Sequence, residues 1–491
     1  MRMWGGRFRK PPDPTFVRFT SSLPFDWRLW RQDVRGSIAH ANMLGRQGII
    51  PRGEASRIVR GLKAIHRDLE NEEKKHGKPA LDPASEDIHT EIERRLRLKV
   101  GDLAGKLRTG RSRNDQVALD LRLFLADEIP GLIDRIGGLQ GALVKRAEEH
   151  LNAKPPTVVP GYTHGQLAEP VLLSHHLLAY FWKLQRDRER LVDCLKRVNV
   201  SPLGAAAIAG TSLPIRPAVV AKELGFSATF ENSMDAVSDR DFALDFLAAC
   251  AIAMLHLSSI AESLIQWAGP DPKSALVVFD DAWSSGSSIM PHKRNPDGAE
   301  LISAKAGRAV GNLNRLVGAL KGLSHPGYEL DLQEDKEAVF DSLDTLNDSL
   351  AVMIGIISTV TFRAERMREA LEKESWMWGA TEAAEYLAKK GLPFTRAHEV
   401  VGKVVAYCEK AGRSLRDLAL RDWQRFCPRF GEDLLERLTL DRCVASKASP
   451  GGTAPQRVRE QLRQAKRLLA AYREKACACH PERSEGSHNA A

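Results

Sequence analysis

Residues 242 to 267 are apolar on nearly every side of a helix, with Phe242, Leu244, Phe246, Leu247, Ile252, Met254, Leu255, Leu257, Ile260, Leu264 and Ile265 among them. A surface helix keeps a polar stripe toward water, so a helix with almost none belongs in the middle of a bundle. Helical spacing recurs at Leu132, Ile136, Leu139 and Leu143, and more loosely at Leu301, Lys305, Val310, Leu313, Leu316 and Leu320. Strand candidates are few and short: Thr157 to Val159 and Leu276 to Phe279. Long helices with so little strand predict an all-α architecture of bundle type.

Composition narrows the function. The 491 residues suffice for one large domain or roughly three smaller ones. Charged residues at 27% and hydrophobic ones at 43% are ordinary for a soluble globular enzyme. The opening MRMWGGRFRKPPDP lacks the apolar core of a signal peptide, and the apolar run from Leu350 to Ile357 and on to Phe362 is too short to span a bilayer. Seven scattered cysteines, an odd number, imply no disulfide framework. We therefore expect a protein of the reducing cytoplasm with no membrane role. The net charge of +9 would suit nucleic acid, but the Lys and Arg are dispersed among 63 acidic residues and no basic-aromatic stripe appears. A small polyanionic ligand fits that distribution better than nucleic acid.

Polar, Gly- and Pro-rich breaks fall around residues 101 to 116, 150 to 166, 268 to 290 and 321 to 335. Loops held by a rigid scaffold are where catalytic groups are expected. Gly286-Ser-Ser-Ile-Met-Pro-His-Lys-Arg-Asn-Pro296 carries two hydroxyls and Lys293, and Asn295-Pro296 reads as the cap and first residue of a helix running through Glu300. Such a loop suits chemistry on a carboxylate, although Gly-Ser-Ser alone is also common turn chemistry. Gly105-Lys-Leu-Arg-Thr-Gly-Arg-Ser-Arg-Asn-Asp-Gln116 offers Arg forks for carboxylates, or else a capped helix start with Asp115 near the cap. Pro160-Gly-Tyr-Thr-His-Gly-Gln166 places His164 on a loop before a helix expected near Pro170, in a catalytic or a structural role. Tyr328-Glu-Leu-Asp-Leu-Gln-Glu-Asp-Lys336 could equally be a solvated charged face.

No Gly-rich phosphate loop or nucleophile elbow is present, and adjacent His175 and His176 would point apart on a helix. Cys477, Cys479 and His480 lack a second ligand pair for zinc. Chemistry with no cofactor and no metal is favoured. The stretch from Lys475 onward loses periodicity, and residues 476 to 491 read as a disordered tail.

The 286 to 296 string resembles the signature loop of the fumarase/aspartase superfamily. Taken with Met3-Trp-Gly-Gly-Arg-Phe8, Glu86-Asp-Ile-His89, Leu107 to Gln116, Gly161 to His164, Asn232 to Asp241, Asp331-Leu-Gln-Glu-Asp-Lys336 and Gly451-Gly-Thr-Ala-Pro455, the chain is similar to the argininosuccinate lyase family over roughly residues 3 to 470. The resemblance implies an all-α chain of three domains, 1-115, 116-364 and 365-475, whose central long-helix bundle forms a homotetramer with shared active sites. It implies reversible β-elimination of argininosuccinate to arginine and fumarate. Ser287 and His164 would move the protons, in either assignment of base and acid. Lys293 and Asn295 would stabilise the developing double charge, with Glu300 orienting His164. The matching substrate positions are Ser22, Asn114, Thr163, Tyr328, Gln333 and Lys336, with Arg111 and Arg113 supporting the carboxylate end. Arg108, His292 and the pair Glu329-Leu330 depart from the family's usual His, Gln and Asn-Lys. An inactive structural tetramer of the kind found in lens crystallins, or another lyase such as adenylosuccinate lyase or aspartase, are the alternatives.

Overall fold

The computed structural model describes residues 8–269, 273–373 and 375–479. Its principal helices are α1 (Trp30–Arg46), α2 (Arg52–His76), α3 (Ile88–Val100) and α4 (Arg113–Asn152). The hairpin strands β1 (Val158–Thr163) and β2 (Gln166–Leu172) follow, and then α5 (Leu173–Val198), α6 (Asp241–Ala268), α7 (Asp297–Leu320) and α8 (Asp335–Thr359). After these come α9 (Ser375–Lys389), α10 (Phe394–Ala411) and α11 (Pro455–Cys479). Beyond the hairpin, the described strands are two residues long: Val200–Ser201 beside Ala228–Thr229, and Val277–Val278 beside Thr361–Phe362. The fold is all-α, as expected.

Local chemistry accounts for many helix ends. The Asp87 carboxylate accepts the Thr90 N–H at 2.8 Å and so caps α3. Helix α2 stops at left-handed Gly77, and Lys74, Lys75 and His76 fill the last turn, where their charge complements the exposed carbonyls. Helix α4 runs for 40 residues despite an internal Pro130. Proline removes one backbone hydrogen bond there. The buried row of Leu125, Ile129, Leu132, Ile136, Leu139 and Leu143 on the same helix outweighs that loss.

Helix α6 is long and apolar enough to cross a bilayer by composition, more so than the 350 to 362 run. Over half of its most apolar window is nevertheless buried inside the protein, including Phe242, Phe246, Leu247, Cys250, Met254 and Leu257. Burial against other helices explains its composition, as the sequence suggested.

Two expectations need correction. The helix placed near Pro170 begins at Leu173, because Pro170 lies opposite Pro160 in the antiparallel hairpin. Proline has no N–H to donate, and a two-stranded ribbon tolerates it at its edge. Of the tail expected over residues 476 to 491, residues 476 to 479 instead continue α11, and residues 480 to 491 lie outside the described residues.

The chain divides into two compact units, each assembled from separate stretches. Unit 1 comprises Met1–Asp134, Asp187–Met254 and Lys305–Asp348; unit 2 comprises Arg135–Arg186, Leu255–Ala304 and Ser349–Ala491. Each division falls inside a long helix: α4, α5, α6, α7 or α8. In unit 1 the α1 residues Trp30, Val34, Ala41 and Leu44 and the α2 residues Ile58, Leu62, Ile65 and Leu69 are buried where the two helices pack. In unit 2 a separate apolar cluster gathers Tyr386, Leu387, Val401, Val404, Trp423, Phe430 and Leu434.

Candidate active site

Unit 2 carries the loop with the most distinctive sequence. Backbone bonds between Ser285 and Asn295, at 3.0 and 2.7 Å in the two directions, close it into a ring at its base. The Ser285 hydroxyl donates to the Asp297 carboxylate, and the Asn295 amide donates to the Gly286 carbonyl at 3.4 Å. Helix α7 therefore begins at Asp297, with the Pro296 carbonyl accepting from Ala299 and Glu300. The cap expected at Asn295 is displaced because that residue is committed to the bridge. Within the ring the Ser287 hydroxyl oxygen accepts the N–H groups of Ile289, at 3.3 Å, and Met290, at 3.1 Å. Two donors aimed at one oxygen favour its ionised form. Lys293 and His292 are exposed within the same ring, and Glu300 is exposed in the first turn of α7.

His164 and Thr163 lie at the tip of the hairpin. Thr163 pairs with Gln166, so His164 and Gly165 form a two-residue turn, both with positive φ at 52° and 73°. That is the geometry a tight hairpin demands, and glycine meets it without strain. A histidine there is uncommon for a residue with a β-carbon. It holds the imidazole outward in water. Among the described residues no hydrogen bond or ion pair joins His164 to Ser287, Lys293 or Glu300.

Unit 1 holds the remaining candidates. The buried Ser22 hydroxyl donates to Asp26 at 2.6 Å, and Asp26 also accepts the Ile88 N–H at 3.1 Å. Burial first, and then the neighbouring Asp87 charge, push Asp26 up to about 6. Arg113 lies 3.0 Å from Asp87 and donates to Thr90 at 3.1 Å. Asn114 donates to the Ala207 carbonyl at 3.0 Å. Arg111 turns its guanidinium inward, donating to Ser37 at 3.0 Å, and burial lowers its pKa even with Asp33, Asp115 and Asp120 nearby. Burial raises Asp115 to about 6, and its carboxylate binds the N–H groups of Ser112, Gly204 and Ala206. Lys336 is buried, and so is Asp335, which accepts from Lys336 at 2.9 Å and from Arg240 at 2.5 Å. The end of the 328 to 336 segment is thus interior, whereas Tyr328 and Gln333 are half-buried before it. The Arg at 108 reaches Glu93 at 2.7 Å.

The sequence reading assigned no role to Asp33, Asp120, Arg240 or Asp335, nor to the His89 side chain. Its signal was present in Val117-Ala-Leu-Asp-Leu-Arg-Leu-Phe-Leu125, where a lone acid and a lone base interrupt an apolar run. Both are buried, and buried charges need partners. His89 Nδ1 lies 2.9 Å from Asp33 and 3.4 Å from Asp120, and Gln116 donates to Asp33 at 2.8 Å. Burial opposes the imidazolium, but Asp33, Asp87 and Asp120 outweigh it and raise His89 to about 9. Burial and the Asp33 charge hold Asp120 well above the usual carboxylate range. Asp33, His89 and Asp120 could offer a metal ion one nitrogen and two oxygens within 4.8 Å of one another. The His89–Asp33 bond and the Arg111 cation already answer those charges, so a further cation would be opposed.

The His89 pKa lies above its ordinary 6.5, so the ion pair's stabilisation is complete below that pH and is lost as pH rises through about 9. Across that window wild-type stability should fall by roughly 1.4 kcal/mol per pH unit more than that of His89→Gln, measured by urea unfolding. Parallel pH profiles for the two proteins would disprove the pairing.

With this geometry in view, similarity to known proteins is specific. A lyase family model matches residues 6–311, and an argininosuccinate lyase C-terminal model matches residues 377–445. The argininosuccinate lyase of Symbiobacterium thermophilum is 50% identical over 469 residues, covering 96% of this chain and 99% of the relative. That of Moorella thermoacetica is 48% identical over 470 residues, covering 96% and 98%. Among solved structures, an EDDS lyase in complex with formate superposes with a TM-score of 0.79 at 25% identity, covering 95% of this chain and 92% of that one. Near-full-length identity of this degree, over a fold and a loop that agree, means that the chain belongs to the argininosuccinate lyase family of the fumarase/aspartase superfamily.

Proposed function

We propose that this enzyme catalyses reversible β-elimination of L-argininosuccinate to L-arginine and fumarate, as a step of arginine metabolism in the cytoplasm. The observation that carries the reading is 50% identity to an argininosuccinate lyase across 469 residues. Cys194, Cys250, Cys408, Cys427 and Cys443 are free and buried, in keeping with a reducing compartment.

The reaction must break a weakly acidic C–H bond beside a carboxylate. In this reading the Ser287 alkoxide takes the proton from the succinate β-carbon, and the electron pair moves into the adjacent carboxylate to make a doubly charged aci form. That form collapses to fumarate as the bond from the α-carbon to the guanidino nitrogen breaks, and His164 delivers a proton to the leaving nitrogen. A serine is a poor base at neutral pH unless its alkoxide is stabilised. The paired N–H donors of Ile289 and Met290 on the Ser287 oxygen support that role. Lys293 and Asn295 stand on the same ring, where a cation and an amide donor can meet the aci carboxylate. Glu300 serves to orient His164. Ser22, Asn114, Thr163, Tyr328, Gln333 and Lys336 bind the substrate, with Arg113 near its carboxylates and Arg111 behind them.

We also propose a homotetramer in which different copies contribute to each site. Leu255 on α6 and Leu301 and Val317 on α7 are half or more exposed on a single chain. Large apolar side chains on long helices are what a second copy would cover.

Adding argininosuccinate, adenylosuccinate or aspartate separately and following ultraviolet absorbance of fumarate should show turnover with argininosuccinate. Turnover of another substrate instead would reassign the specificity, and none at all would favour a structural tetramer. Ser287→Ala should lower kcat by roughly three powers of ten or more while binding persists, because it removes a group needed at the transition state; near-normal turnover would rule Ser287 out as the base. Light scattering should give the mass of four chains, and Leu301→Asp a smaller species with lost activity. An active monomer would end the shared-site reading.

A further inference from the structure

The Ser287 ring is closed at its base by the Ser285–Asn295 bridge. Among the described residues, hydrogen bonds from residues 286 to 293 reach no farther than Asn295. Its tip is exposed, with Ile289 at 83% and Met290 at 40%. Whatever orients Ser287 must therefore act through the neck, where the chain enters at Trp283 to Ser285 and leaves at Asn295 to Gly298.

Both sides of that neck press on the same turn of α8. On the entering side, Asp280 accepts the Ala282 N–H at 2.9 Å, and its carbonyl accepts from Trp283 at 3.0 Å and from the Ser284 hydroxyl at 2.9 Å. This short turn lays the Trp283 indole against Gly355. A β-carbon at 355 would lie 2.0 Å from Trp283 Cζ2 and 2.4 Å from Cε2 and Cη2. No side chain fits there while the ring stays, and a rigid indole cannot yield locally as a long flexible chain would. On the leaving side, a β-carbon at Gly298 would stand 3.1 Å from Val352 and 3.4 Å from Ile356. Arg294 ties the two sides together, 2.6 Å from Asp281 and 3.4 Å from the Phe279 carbonyl.

We propose that Trp283, seated on the bare backbone of Gly355, is a positioning residue that sets the angle at which the Ser285–Asn295 neck presents the catalytic ring. The seat acts through the loop and touches no substrate. It rests on the reading of Ser287 as the base. With the indole in place, the neck pivots on a fixed point of α8, and opening and closing of the ring leave its base unmoved. With the indole expelled, the ring keeps its internal bonds but loses its orientation, and a misplacement of about 1 Å can cost on the order of a hundredfold in rate.

The test is a double-mutant cycle on the full-length enzyme with Gly355→Ala and Trp283→Leu, since leucine lacks the ring atoms that a β-carbon at 355 would strike. Two quantities are read: the rate at which trypsin nicks the native protein after Lys293 or Arg294, and kcat against KM for argininosuccinate. Gly355→Ala alone should raise nicking and lower kcat, each by roughly tenfold or more, with KM within about twofold. In the Trp283→Leu background the same substitution should change either quantity by less than about twofold. If Gly355→Ala does not fold alone, recovery of native circular dichroism in the double variant is the same coupling. Equal effects of Gly355→Ala in both backgrounds, or unchanged nicking in every variant, would overturn the seat. Coupled nicking with kcat untouched would overturn the link between the seat and catalysis, whereas Ser287 as the base stands or falls on the turnover of Ser287→Ala.

Discussion

A helix with almost no polar face can be kept from water only by other helices, and that constraint on α6 organises the rest of the chain. Its buried residues, Phe242, Phe246, Leu247, Met254, Leu257 and Ile260, need neighbours along the whole helix length. Each such side chain contributes roughly 1.5–3 kcal/mol when removed from water, so no local preference for turns or caps competes with their sum. Helices α5 and α7 bond to α6 in unit 2, Tyr180 to the Ser259 carbonyl and Ser303 to Ser258, and the Ser287 ring lies in the link between α6 and α7. Loops attached to rigid helices at both ends can hold strained or polar groups that an isolated peptide would not keep in place.

The charged interior of unit 1 follows a second constraint. Asp33, Asp120, Arg122, Arg240, Asp335 and Lys336 are buried, and each would cost several kcal/mol if left alone. They are met by opposite charges: His89 against Asp33 and Asp120, Arg122 against Asp239, and Arg240 with Lys336 around Asp335. Breaking one member leaves the other charge stranded, so these pairs demand one arrangement of their helices. Ser22, Arg113 and Lys336 inherit their positions from that arrangement through Asp26, Asp87 and Asp335.

The two ends of the proposed chemistry are held differently. Ser287 sits in a ring closed by backbone bonds and seated on α8, whereas His164 is fixed by the backbone of a two-residue turn. A group that must approach and leave the substrate benefits from a hinge, and a proton donor benefits from a fixed point. Holding a histidine at positive φ costs about 1 kcal/mol or more, which marks a position where the surrounding hairpin dictates the backbone.

The helical architecture and the Ser287 loop were legible in the sequence because each is written in contiguous residues: period-3.6 apolar rows in one case, and an unbroken string in the other. The short strands near 157 and 276 were legible too. The hairpin at His164 was not, since its prolines read as breaks and only pairing of Pro160 with Pro170 reveals them as strand edges. Nor could the two units be read along the chain, because each division falls within a helix whose periodicity never changes. The amino-acid order by itself determined which stretches would be helical, which loop would carry the hydroxyl and the ammonium, and which family the chain would join. The tertiary structure alone decided that Arg111 would turn inward, that Lys336 would be buried with Asp335 and Arg240, and that Trp283 would rest on Gly355. Partners distant in sequence meet only when packing brings them within a few ångströms, and the forces that matter there, ion pairing in low dielectric and steric exclusion, have no range along the chain.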